Sequence, residues 1–309
     1  MKILQHSLNL SQSYEHRIET TQKMTKNDLT PFLPPLINKN MNSMRIYHIW
    51  FFILISWTTV LSAKTMKINN YFETPLQRKL AEASAKGLIE DVRKFLNEGA
   101  KVNYQGNEGM TALIWTLLQQ NKKGYQYLLE NGADPNLQMA KSTLTSDGLT
   151  DGNSAVSLAT MHEDPWYLMI TLKHGGNPNI FNSVKGVTPI FQCIKFFEKK
   201  HPRLEQLKLL IAAGADLNAL DKYGFTPIMQ AVMFNRFDMV YLMLESGADP
   251  TIKMKSGVSV ATMIKDARIA PENELYQWRT KVINLLKTKE IDVEGAVSLR
   301  PNREQSQRP

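Results

Sequence analysis

A five-residue phrase recurs along this chain at long, near-regular intervals. Gly132-Ala133-Asp134-Pro135-Asn136 is its clearest copy, and others begin at Gly99, Gly175, Gly214 and Gly247. The steps between copies are 33, 43, 39 and 33 residues. A second phrase precedes four of the copies: Thr111-Ala112-Leu113, Ser154-Ala155-Val156, Thr188-Pro189-Ile190 and Thr226-Pro227-Ile228. From its first residue to the next glycine is 21 residues in three cases and 26 in the fourth. Such self-similarity specifies stacked supersecondary units, each burying a face against its neighbours.

The residue types fit that geometry. Threonine or serine caps free N–H groups at a helix start, and proline suits the first helical turn, where its missing N–H costs nothing. Glycine ends a helix in the left-handed conformation. The following Asp and Asn carry the chain through the next turn. Both phrases at a 33-residue period resemble the ankyrin repeat. The resemblance covers residues 75–289 and implies an all-α repeat solenoid: five to six helix-turn-helix units, caps included, joined by short β-hairpin loops.

The first unit, Pro75 to Asn103, lacks the threonine-proline start and is polar early (Gln77, Arg78, Lys79, Glu82), the marks of a capping repeat. Leu80, Ala83, Val92, Phe95 and Leu96 are its apolar positions. Unit two, Gly109 to Asn136, offers Leu113, Trp115, Leu128 and Leu129 to the core. Unit three, Gly152 to Asn179, offers Val156, Leu158, Ala159, Leu168 and Leu172. Unit four, Gly186 to Asn218, offers Ile190, Leu207, Leu210 and Ile211. Unit five, Gly224 to Pro250, offers Ile228, Ala231, Val240, Leu242 and Leu244. A degenerate sixth unit, Gly257 to Lys289, with Val260-Ala261, Trp278, Val282, Leu285 and Leu286, reads as the carboxy-terminal cap. Residues 64–74 read as linker, and 290–309 as a polar, disordered tail. Two insertions, at 138–152 and 196–203, map to loops.

Ahead of the repeats, Ile49 to Leu61 is an uncharged apolar run, preceded by Arg45 and followed by Ser62-Ala63. A positive flank, a short apolar core and a small-residue exit make a secretory signal over 44–63. The run is short for a membrane span, which needs about 20 residues; an uncleaved anchor in the inner membrane is the alternative. Met41 and Met44 stand just before the signal, so residues 1–43 read as an over-extended start or a disordered extension. The expected location is the periplasm.

Composition narrows the function. Hydrophobic content of 43% and charged content of 21% fit a folded body, and one cysteine, Cys193, excludes an internal disulfide framework. Net charge is +8 without a block of like charges, so no nucleic-acid face is indicated. Past the signal only His162, His174 and His201 remain, and no spacing converges on a metal site. No phosphate loop, nucleophile elbow or catalytic triad is present. No cofactor, small-molecule substrate or enzymatic activity is expected, and Cys193 reads as an inert buried thiol.

Alignment to the ankyrin pattern implies a concave partner face of hairpin tips and first-helix positions. It includes Met110, Leu118, Met161, His162, Val187, Phe196, Tyr223, Phe225, Met233 and Phe234. That set is unusually apolar, and aromatics and methionine are enriched where proteins bind proteins. With an export signal, the chain resembles exported bacterial ankyrin proteins of the toxin-immunity type. The resemblance implies a protein, monomeric when free, that binds and neutralises a cognate secreted antibacterial effector, phospholipases among them. A periplasmic scaffold or stress-support protein, and an exported effector that binds host proteins, are the other readings.

Overall fold

The computed structural model describes residues 67–140, 151–195 and 203–296, apart from 268, 270, 271, 273 and 274. The expected extension, the signal, Phe196, most of both insertions and the last 13 residues lie outside the described residues. Among the described residues twelve helices occur, in six pairs. They are α1 Pro75–Lys86, α2 Ile89–Asn97, α3 Ala112–Leu118, α4 Lys122–Glu130, α5 Ala155–Met161 and α6 Pro165–Lys173. The second half holds α7 Pro189–Lys195, α8 Leu204–Ala212, α9 Pro227–Met233, α10 Phe237–Glu245, α11 Val260–Asp266 and α12 Tyr276–Thr288. First helices pack on first helices along the whole series from α1 to α11. The hairpins before α7 and α11 retain only isolated antiparallel bridges, Asn182 to Val187 and Lys253 to Ser259.

Local chemistry sets the helix boundaries. The side chains of Thr111, Ser154, Thr226 and Ser259 each accept the N–H three residues on, at 3.1, 3.2, 3.4 and 3.3 Å, and so cap α3, α5, α9 and α11. Thr188 departs from the expected pattern: its hydroxyl is buried without a partner. The glycine opening each phrase has φ of 96°, 83°, 85°, 84° and 96° from Gly99 to Gly247. An added Cβ at these five positions would touch nothing within 4 Å, so the requirement is for the left-handed backbone rather than for space.

The asparagine that closes the phrase does more than turn the chain. Asn103 Nδ2 donates to Gly132 O at 2.9 Å, while its Oδ1 accepts the Asp134 N–H at 2.7 Å. Asn136 repeats this on Gly175 and Asn177 at 3.0 and 2.7 Å, and Asn179 on Gly214 and Asp216 at 2.9 and 2.7 Å. Asn218 accepts the Asp249 N–H at 2.8 Å. Thr251 occupies the equivalent place in the next copy. Each asparagine therefore clamps the following unit. The residue two before it supplies the local turn, as Asp134 Oδ1 accepts the Asn136 N–H at 2.8 Å.

The core runs through the array. Leu80, Leu113, Leu128, Val156, Leu168, Ile190, Leu207, Ile228, Val240, Val260 and Val282 are all buried. Each such side chain contributes about 1.5–3 kcal/mol on leaving water. Both ends close differently from the sequence expectation. Tyr71 and Phe72 fall in the stretch read as linker, yet both are buried, with ring centroids 6.0 and 6.4 Å from Trp115. At the other end Val293 is buried, and Lys265 Nζ donates to the Glu294 and Ala296 carbonyls at 2.6 and 2.8 Å. A terminal unit has a neighbour on one side only, so flanking residues cover the open face.

Candidate functional site

The first helices end at one repeated position, seven residues after the capping Thr or Ser. From α3 to α11 it holds Leu118, Met161, Lys195, Met233 and Asp266. Leu118 and Met161 are half-buried against the core, while Met233 is 52% exposed. The next position holds His162 and Phe234, both half-buried. A short helix capped at one end and packed on its neighbours fixes where the Leu118, Met161 and Met233 side chains emerge. Leu118 and Met161 thus hold equivalent places in adjacent units, and Met233 holds the same place two units further on, beyond Lys195.

Around Met161 the polar groups are well held. Burial lowers the His162 pKa, against the opposing pull of the nearby carboxylates. Its Nδ1 accepts the Asp164 N–H at 3.0 Å, its Nε2 is buried without a partner, and its ring lies 4.4 Å from that of Tyr167. Asp164 Oδ1 caps α6 through the Trp166 N–H at 2.9 Å, and Oδ2 meets Lys122 Nζ at 2.5 Å. That ammonium holds the Asp164 carboxyl below its ordinary range. Gln206 Nε2 donates to the His162 carbonyl at 2.9 Å, tying the loop after α5 to α8. Cys193 is buried, its thiol donates to Arg203 O at 3.2 Å, and burial pushes its pKa up to about 12. Among the described residues no group of three or more His, Cys, Asp or Glu side chains is placed to hold a metal ion.

Two of the residues expected to see water do not. Met110 is 0% exposed and Val187 is 2% exposed. Each precedes a helix-capping position, and the side chain at that register turns inward beneath the hairpin instead of standing at its tip. Phe225, at the same register, is half-buried against the core, as is Phe234. Tyr223 is 67% exposed on its hairpin, before the α9 cap, whereas Met233 closes α9. The expected cluster in unit five is therefore split between the two ends of a short helix. Val184, at a hairpin tip of the expected face, is exposed, and Phe181 and Leu220 are exposed large apolar residues that the sequence reading passed over. Their signal was available: position 181 and position 220 stand two residues after the clamping asparagine, where Gln105 and Gln138 stand in earlier units.

Stacked helix pairs, capped starts, left-handed glycines and an inter-unit asparagine ladder define an ankyrin-repeat solenoid, a fold that generally serves as a non-catalytic scaffold for binding other proteins. The comparisons with known proteins support a place in the ankyrin-repeat family. The family model for ankyrin repeats (many copies) matches residues 190–244. Protein PhlB of Serratia liquefaciens is 36% identical over 157 residues, covering 51% of this chain and 62% of that protein. Putative ankyrin repeat protein FPV031 of Fowlpox virus (strain NVSL) is 27% identical, with 53% and 46% covered. The chain thus spans less than two thirds of either relative. Among solved structures, the ankyrin repeat domain of Bcl-3 aligns with a TM-score of 0.54 at 23% identity, covering 67% of this chain and 85% of that one. An ankyrin repeat domain from Acinetobacter baumannii AYE aligns with a TM-score of 0.55 at 23% identity, covering 68% and 97%. At that identity the likeness speaks for the fold alone.

Proposed function

We propose that this chain is a periplasmic immunity protein whose first-helix ends grip a cognate secreted antibacterial effector, a phospholipase being the favoured class. The observation that carries the reading lies at those ends. Leu118, Met161 and Met233 present apolar side chains, the two methionines unbranched and flexible, at one repeated position of units two, three and five. Methionine adapts to a partner's surface better than branched residues do, and such surfaces suit protein recognition. Beside them Phe234 and the His162 loop supply a firm base. A lipase mouth is apolar, so side chains of this kind could cover it and exclude substrate. The secretory signal expected at 44–63 favours a periplasmic site for this activity.

The test is Met161→Lys with Met233→Lys. Neither side chain is fully buried, so the thermal midpoint should stay within about 2 °C, whereas two charges in a desolvated contact should weaken binding by about 100-fold or more. Protection of cells against the protein that the unaltered chain captures should fall in parallel. Undiminished protection by a folded double variant would remove these helix ends from the account. Purification without any effector, alongside a phenotype in oxidative or envelope stress, would favour the scaffold reading.

A further inference from the structure

The hairpin row changes character along the array. In the early units its side chains tie one hairpin to the next: Gln105 Nε2 donates to Gln138 O at 3.1 Å, and Gln138 Nε2 to Phe181 O at 2.8 Å. From there the same position carries Phe181 and then Leu220. These are 53% and 55% exposed, and their hairpin companions Val184 and Tyr223 are 41% and 67% exposed. A monomer seldom leaves such side chains together in water without use.

Two features set this row apart from loose surface. The hairpin carrying Phe181 and Val184 is rigidly held, because the buried Asn182 donates to Asp151 O and Asn153 Oδ1, both at 2.9 Å. Its own Oδ1 accepts the Val184 and Lys185 N–H groups at 3.1 and 2.9 Å. The charge at the tips leans positive. Lys185, Lys222, Lys253 and Lys255 lie on these hairpins against Asp221 at the tips, with Asp216 and Asp249 at their bases, and Asp221 is engaged by the Tyr223 and Phe225 N–H groups at 2.8 and 2.9 Å. The Lys222 stem lies across Gly186, and its Nζ sits 5.0 Å from the Tyr223 ring centroid. The Lys222 stem thus extends the apolar strip while its ammonium group stands at the rim.

We propose that the hairpin row of units four to six docks on the surface of an anionic lipid bilayer. Lysine is depleted from protein–protein interfaces but adds affinity at an anionic membrane. Apolar tips with tyrosine among them suit the headgroup boundary, where one end of a side chain is wet and the other is not. Rigid hairpins can enter that layer without any unit unfolding. Among the described residues no helix is long and apolar enough to cross a membrane. The face is distinct from the first-helix ends: Tyr223 precedes the α9 cap and Met233 ends that helix, about 10 Å further along at 1.5 Å per residue. The inference therefore stands apart from the effector-binding reading.

The test uses the full chain and flotation with phosphatidylcholine vesicles, with and without phosphatidylglycerol. Two variants, Phe181→Ser with Leu220→Ser and Lys222→Glu with Lys253→Glu, alter exposed residues, and circular dichroism melts confirm that they fold. The unaltered chain should partition onto phosphatidylglycerol vesicles and be released at about 1 M salt, where screening shortens to about 3 Å. Each lysine near an anionic surface is worth about five-fold in partitioning, so the charge reversal should cost about 25-fold or more. The serine pair should cost at least about ten-fold. Equal partitioning of all three chains, or no preference for phosphatidylglycerol, overturns the proposal. So does an unaltered chain that ignores anionic vesicles while the lysine reversal weakens effector capture, which would make the row a protein interface.

Discussion

Replacing Asn179 by alanine isolates the clamp between units three and four. The side chain is exposed, yet it makes two inter-unit bonds, from Nδ2 to Gly214 O at 2.9 Å and to Oδ1 from the Asp216 N–H at 2.7 Å. Its own N–H bond to Asn177 Oδ1, at 2.8 Å, survives the substitution. A net hydrogen bond contributes about 0.5–1.5 kcal/mol, and exposure places these toward the lower half. The expected loss is therefore about 1–2 kcal/mol, or roughly 2–8 °C in thermal midpoint for an array of this size. Because units couple only to their neighbours, the loss falls on one interface. Urea unfolding followed by far-ultraviolet circular dichroism measures the total. Native-state hydrogen exchange at the Asp216 amide measures the locality. Asn179→Asp keeps the acceptor and loses the donor, so it should fall between wild type and Asn179→Ala. An alanine variant within about 0.3 kcal/mol of wild type, or an Asp216 amide no less protected, would refute the clamp.

Other perturbations have equally direct readouts. Gly124→Ala should cost about 1–3 kcal/mol by overpacking, since an added Cβ would run into the Ser84 carbonyl where α4 meets α1; a neutral melt would contradict that close approach. Tyr125→Phe removes the buried 2.6 Å bond to Thr171 between α4 and α6 and should cost about 1 kcal/mol in urea unfolding, because Thr171 keeps its bond to the Tyr167 carbonyl. Cys193 should resist thiol reagents at about pH 8 until the chain unfolds, its thiol being buried with a pKa pushed up to about 12; prompt labelling of the native chain would contradict the burial. The folded-state pKa of His162 lies below its ordinary value, so the neutral form is favoured by folding. Stability from this group is complete above its unfolded pKa of about 6.5 and is lost as pH falls from there through the lower folded value. His162→Gln should flatten that part of the pH profile, as read by urea midpoints.

The fold was legible because its signals are local. A capping Thr226 and a left-handed Gly247 act within a few residues of themselves, so their spacing reports the helix pairs directly. The clamp was not legible in the same way. Asn136 looks like a turn residue until Gly175, 39 residues on, is placed beside it. The candidate face was read only in part, because alignment gives the repeat position of a residue but not the direction of its side chain. Met233 is exposed, while Met110 and Val187 turn into the core. Tyr71 and Val293 were missed since no periodic phrase marks a lid that occurs once at each end.

Affinity purification of the tagged full chain from the periplasmic fraction, beside its Met161→Lys, Met233→Lys variant, tests the central claim most directly. The account predicts one stoichiometric protein partner that withstands high salt, inhibits growth when produced without this chain, and is lost from the variant. No stoichiometric partner, or one held equally well by both forms, would contradict the claim that this array neutralises an effector through its first-helix ends.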